Sequence, residues 1–163
     1  MEDLALRAPA PNERAELLDV WVAGWRATYP DIDFDARRDW LVARLADIEA
    51  VGAQTICAFG QTRMLGFVTI DPHIKWLDQL AVHPAAFGSG VARALLDQAR
   101  RASPTGIELD VNVDNLRARR FYEREGFAIA GRGVNAISGR KTLLLKWRPD
   151  PGVAPQIGAA STR

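Results

Sequence analysis

Apolar and polar positions alternate along this chain in two rhythms, and the switches between them mark its elements. Leu4 and Leu6 share one face of a short first strand, Leu4 to Arg7, which Pro9 and Pro11 end. Asn12 reads as a helix N-cap with Glu13 and Glu16 in the first turn, and Leu17, Leu18, Trp21, Val22 and Trp25 then recur at helical spacing until Pro30. Beyond Tyr29 and the acidic DIDFD loop, Trp40, Leu41, Arg44, Leu45 and Ile48 keep the helical period over Asp35 to Ala50. Gln54 to Phe59 and Met64 to Ile70 read as antiparallel strands joined by a turn at Gly60 to Arg63. Asp71 and Pro72 then turn the chain into a third strand of this group, Ile74 to Val82.

That strand breaks at Pro84, passes through a loop with Gly88 and Gly90, and opens straight into a helix. Val91, Leu95, Ala99 and Ala102 fall on one helical face, with Arg93, Arg100 and Arg101 off it. A glycine loop at a helix start aims free amides and the positive end of a dipole at one point, which suits a pyrophosphate. Pro104 and Gly106 make the next turn, and Ile107, Leu109, Val111 and Val113 alternate with Glu108, Asp110 and Asn112 in a strand. Asp114 or Asn115 caps a short helix that runs through Glu125 and closes at Gly126. Phe127 to Ala130 and Lys141 to Trp147 supply the last two strands. The expected fold class is therefore α/β (α+β), with about seven strands in a mixed, mostly antiparallel sheet and about four helices. Residues 1–148 read as a single domain, and 149–163, rich in Pro, Gly and Ala without periodicity, as a flexible tail.

Composition narrows the function classes. With 21 basic against 20 acidic side chains the formal charge is +1, which argues against a dedicated nucleic-acid binder. No apolar run reaches membrane-spanning length, and Met1 to Ala10 lacks the layout of a signal peptide, so the expected location is cytoplasmic. Cys57 is the only cysteine and lies in an apolar strand, the setting of a small buried hydrophobe. No His, Cys or carboxylate group has metal-ligand spacing, so no metal is expected.

Two stretches carry a family likeness. LAVHPAAFGSGVARALL is similar to the acyl-CoA-binding motif of the GCN5-related N-acetyltransferases (GNAT), a strand followed by [Gln/Arg]-x-x-Gly-x-[Gly/Ala]. VNVDNLRARRFYEREGF resembles the same family's second hallmark: an Asn, a small residue three on, a Tyr seven on, then Gly-Phe. The order of elements fits over about residues 3–148. One departure stands out, because Phe87 occupies the position where the family prefers Gln or Arg. Backbone amides carry most of such a site, and Arg93 one turn into the helix supplies a replacement charge.

The resemblance implies an N-acetyltransferase using acetyl-CoA as acyl-donor cosubstrate, with direct attack by a primary amine in a ternary complex. In the family the strand before the glycine loop splays from the next strand, and the pantetheine arm fills that cleft. Leu80, Ala81 and Val82 would then pair with the arm and polarise the thioester, while Phe87, Gly88, Ser89, Gly90, Val91, Ala92 and Arg93 surround the diphosphate. Asn115 would bond the pantetheine, Ala118 would leave room for it, and Tyr122 would protonate the departing sulfur. A phenol of pKa ~10 is protonated at neutral pH yet able to give that proton to a thiolate. Read without the family, Asn115 is a helix cap and Tyr122 a core aromatic beside Phe121.

Two carboxylates compete for the general base. Asp110 lies five residues before Asn115, where ribosomal-protein N-acetyltransferases of the family carry a Glu. Asp78 shares a strand face with Leu80 and Val82 by alternation. Either is equally a solvated surface carboxylate. Trp21, Trp25, Tyr29 and Phe34 read mainly as core by periodicity; the loop after the first helix often lines the acceptor site in this family, which makes Tyr29 and Phe34 the candidate substrate contacts. The acceptor is expected to be a small-molecule amine, a protein N-terminus or a lysine, and homodimers are common in the family, with Leu143 to Trp147 a plausible sheet edge. His83, at the strand end before Pro84, reads as a turn residue ahead of a base near the cleft, and His73 beside Pro72 as a turn residue. A non-catalytic acyl-CoA-binding domain is the competing reading, favoured by Phe87 and opposed by Asn115 and Tyr122.

Overall fold

The computed structural model describes residues 3–150, which gather into two compact units, one running through Ala102 and the other starting at Ser103. The tail expected over 149–163 falls, past Asp150, outside the described residues.

In the first unit β1 (Ala5–Arg7), β2 (Gln54–Phe59), β3 (Met64–Asp71) and β4 (Trp76–Val82) pair antiparallel in chain order. One sheet face carries Cys57, Phe67 and Ala81 against Leu17, Val20, Trp21 and Val22 of α1 (Arg14–Thr28) and Leu41 and Leu45 of α2 (Arg38–Ala50). The opposite face receives α3 (Val91–Ala102), whose Leu95, Leu96 and Ala99 are fully buried. Each such leucine contributes roughly 1.5–3 kcal/mol of burial free energy, so α3 is anchored by its apolar stripe.

Three local expectations change. Asn12 does not cap α1: Pro11–Glu13 form a 3₁₀ turn, and the Glu13 carboxylate reaches back to the Ala10 amide at 2.7 Å while pairing with Arg7. Pro11, with φ preset, starts the turn early, and Glu13 offers two acceptor oxygens where Asn12 offers one. Trp40, though in helical phase, is 40% exposed and covers Trp21 from outside, ring centroids 6.2 Å apart. β4 begins at Trp76 rather than Ile74, because Lys75 takes a left-handed φ of 59° in the turn before it.

The second unit contains β5 (Ile107–Asn112), α4 (Leu116–Arg124), β6 (Ala128–Val134) and β7 (Lys141–Trp147). β7 pairs with both β5 and β6, placing buried Leu109 opposite Leu145 and Val111 opposite Leu143. The expected edge is thereby corrected: β7 lies between two strands, and β6, exposed at nearly every position, is the outer one of this unit. β7 carries the apolar run, and an apolar strand gains most where both its edges and one face are covered. Among the described residues, no helix is long and apolar enough to cross a membrane.

Candidate active site

β4 ends in a tightly built turn. His83 donates its amide to the Leu65 carbonyl at 2.8 Å, and Pro84–Ala86 then make one 3₁₀ turn that His83 caps. Gly88 and Gly90 follow with φ of 75° and 92°, conformations that disfavour any residue with a Cβ. The first α3 bond runs from the Ala94 amide to the Gly90 carbonyl at 3.0 Å, so the amides of Val91 and Ala92 precede any intrahelical acceptor. The Ser89 amide and hydroxyl both return to the Ala86 carbonyl, which stiffens the loop. A Cβ placed on Gly88 would meet nothing within 4 Å, so the glycine faces open space. Open approach, helix-start amides and the positive dipole end fit a diphosphate. Arg93 is exposed in the first turn, and Phe87 is half-buried.

The strand end feeding this loop is fitted against two glycines that the sequence pattern did not single out. A Cβ on Gly24 of α1 would stand 2.9 Å from the Val82 carbonyl oxygen. One on Gly66 of β3 would stand 2.7 Å from the Ala81 carbonyl oxygen and 3.0 Å from Leu95 Cδ1. Only a glycine in each place lets backbone approach backbone this closely. Val68 pairs with Leu80, Phe67 with Ala81 and Gly66 with Val82.

Asp78 is not where alternation puts it. Thr69 pairs with Gln79 but Ile70 pairs with Leu77, leaving Asp78 as an extra residue. This bulge turns Asp78 away from the face of Leu80 and Val82 and toward the helices. There Arg44 of α2 grips both carboxylate oxygens, Nε at 3.3 Å from Oδ2 and Nη2 on Oδ1. Gln79 donates to Oδ2 at 3.1 Å, and the side chain is 7% exposed. Oxygens engaged in this way favour a charge-paired structural group over a free base.

In the second unit Leu109 and Val111 are buried and Asp110, between them, is exposed on the other face of β5. Partial desolvation raises its carboxyl pKa from the ordinary aspartate value. Asn115 caps α4, its Oδ1 accepting the Ala118 amide at 3.3 Å, which leaves its side-chain NH₂ to donate elsewhere. Tyr122 is 7% exposed, with Phe121 and Phe127 edge-on at 5.2 Å. Burial pushes the phenol up, so it is protonated at neutral pH.

The candidate acceptor contacts separate. Phe34 is 4% exposed, edge-on to Trp21 and stacked on Trp25 at 5.8 Å each, so it is part of the core. Tyr29 is half-buried and stacks on Trp25 at 5.8 Å. In the acidic loop, Asp35 is bound by Arg38 and Arg26. The Arg38 hydrogen bond, above all, holds the Asp35 carboxyl below its usual range. Cys57 is fully buried and its thiol is pushed up to about 12, which removes it as a nucleophile.

The Acetyltransferase (GNAT) family pattern matches residues 14–127, a span that includes the glycine loop and α4. The peptidyl-lysine N-acetyltransferase YjaB of Salmonella typhimurium is 26% identical over 140 residues, covering 86% of this chain and 94% of that protein. The PaiA N-acetyltransferase of Thermoplasma acidophilum, solved in complex with coenzyme A, superposes with a TM-score of 0.73 at 15% identity, over 90% of this chain and 99% of its own. The apo solution structure of Escherichia coli YjaB gives 0.72 at 24% identity, over 89% and 97%. The seven strands and four helices of the described residues are those of this fold. With both of its motif-bearing stretches inside the matched span, the chain belongs to the GNAT family and is an acetyl-CoA-dependent N-acetyltransferase.

Proposed function

We propose that the acceptor is the ε-amine of a lysine in a protein or peptide, acetylated by direct attack in a ternary complex. Acetyl-CoA supplies the acetyl group activated as a thioester. The amides of Gly88, Gly90, Val91 and Ala92 hold the diphosphate around a loop that the Ser89 amide stiffens, with Arg93 adding positive charge. Leu80, Ala81 and Val82 offer backbone groups to the pantetheine and an amide to polarise the thioester oxygen. Asn115 donates from its free side-chain NH₂, and Ala118 leaves room beside it. Asp110, its pKa raised, takes the proton from the attacking amine, directly or through water. Tyr122 then protonates the sulfur. Tyr29 contributes a partly exposed ring to the acceptor side.

Tyr122 carries the mechanism: a buried phenol that burial holds protonated at neutral pH has a proton available for a thiolate leaving group. The buried Cys57 supports direct attack over a covalent acetyl-enzyme. For the acceptor, the support is the likeness over 86% of the chain to a peptidyl-lysine N-acetyltransferase.

The test is a panel of lysine peptides, peptides with only a free α-amine, polyamines and aminoglycosides, read by release of the CoA thiol and by mass mapping. Lysine peptides are expected to turn over with the label on the ε-nitrogen. Turnover confined to small amines or to α-amines overturns the acceptor assignment.

A further inference from the structure

We infer that Arg44 and Asp78 are a positioning pair that fixes the phase of the acetyl-CoA-binding end of β4. The inference rests on the assignment of Leu80 to Val82 to the thioester arm. Its starting point is the extra residue in β4. Asp78 and Gln79 are consecutive, yet both side chains turn to the α1 and α2 side of the sheet and bond each other at 3.1 Å. Arg44 ties Asp78 to α2, and Trp21 Nε1 ties Gln79 Oε1 to α1 at 3.1 Å. The bulge is thus clamped by one residue from each helix.

Strict alternation would instead turn Asp78 toward α3, where Val91, Leu95, Leu96 and Ala99 form an apolar stripe. A carboxylate there would be desolvated without a partner. Arg44 therefore selects the bulged register over the regular one. The consequence falls on the next three residues, because a one-residue slip exchanges which backbone groups face each neighbour. Leu80, Ala81 and Val82 would present their amides out of phase with the ligand. Gly24 and Gly66 leave no slack, since each brings backbone or side-chain atoms close against the Val82 and Ala81 carbonyls. Neither Arg44 nor Asp78 needs to touch substrate for this role.

Coenzyme A titrated calorimetrically into the purified protein, with no acceptor present, keeps this test independent of the lysine assignment. Arg44→Gln and Asp78→Asn are each expected to weaken CoA binding about tenfold, and the double variant no further, as residues acting through one contact are non-additive. Arg44→Lys, which keeps the charge but loses the fork, should recover part of the loss and serves where the other variants fold poorly. The pH profile of kcat should be unchanged in Asp78→Asn. CoA affinity within twofold of the parent in the single variants, or loss of an ionisation from that profile, overturns the inference; the first makes the pair merely structural and the second makes Asp78 a base.

Discussion

The Nδ1 atom of His83 accepts the Ala85 amide proton at 3.1 Å, so one imidazole sets the turn that presents Gly88 and Gly90. Burial, and then the charge of Arg63, lower the His83 pKa below its ordinary 6.5. A depressed folded pKa means that the unfolded chain binds the proton more readily. Its stability contribution is therefore present above the unfolded value and lost as pH falls through the folded one. Protonation also removes the acceptor from Ala85. CoA affinity should drop as pH falls from about 7 to 5, and His83→Asn, which caps without titrating, should flatten that drop. Titration calorimetry across the range checks both, and parallel profiles in the two proteins would refute the link.

Tyr122→Phe keeps the ring packed against Phe121 and Phe127 and removes only the hydroxyl. If the hydroxyl is the acid, kcat falls by about 10² while CoA affinity stays within about twofold. Steady-state rates beside a CoA titration separate the two quantities. An unchanged kcat would remove Tyr122 from the chemistry.

Gly88→Ala and Gly66→Ala should fail in opposite ways. The first adds a methyl into open space at a φ of 75°, costing about 1–2 kcal/mol of backbone strain and obstructing the diphosphate. The second drives a methyl to 2.7 Å from the Ala81 carbonyl oxygen, an overpacking cost of about 1–3 kcal/mol. CoA affinity should suffer more in Gly88→Ala and Tm more in Gly66→Ala; the reverse order would contradict the placement of both.

Cys57 should resist thiol reagents in the folded protein. It is fully buried, with a thiol pushed up to about 12, so little thiolate exists at neutral pH. Labelling should track unfolding in denaturant, measured by absorbance of the released chromophore. Rapid labelling of folded protein would show that β2 opens locally.

The local elements were largely legible because their signals are local. Alternation marked β5 and the pairing of β2 with β3, the helical period marked α3, and the glycine loop with its helix start was visible as a motif. Asn115 was readable both as cap and as ligand donor, and the geometry makes it a cap with its NH₂ to spare. Phe34 was readable both as core by its spacing and as an acceptor contact, and Trp21 and Trp25 enclose it. Arg44 was the overlooked clue: a cation in phase with Leu41 and Leu45 needs a partner inside, and Asp78 is that partner.

By itself the sequence determined where most helices and strands lie, the glycine loop before α3 and the chemical inventory of the site, because each depends on neighbours a few positions away. Only the tertiary structure decided that β4 carries a bulge at Asp78, that β7 is an inner strand of its unit and that Gly24 and Gly66 make room for the end of β4. Those outcomes turn on pairing register and on backbone contacts between segments far apart in the chain, which no local periodicity encodes.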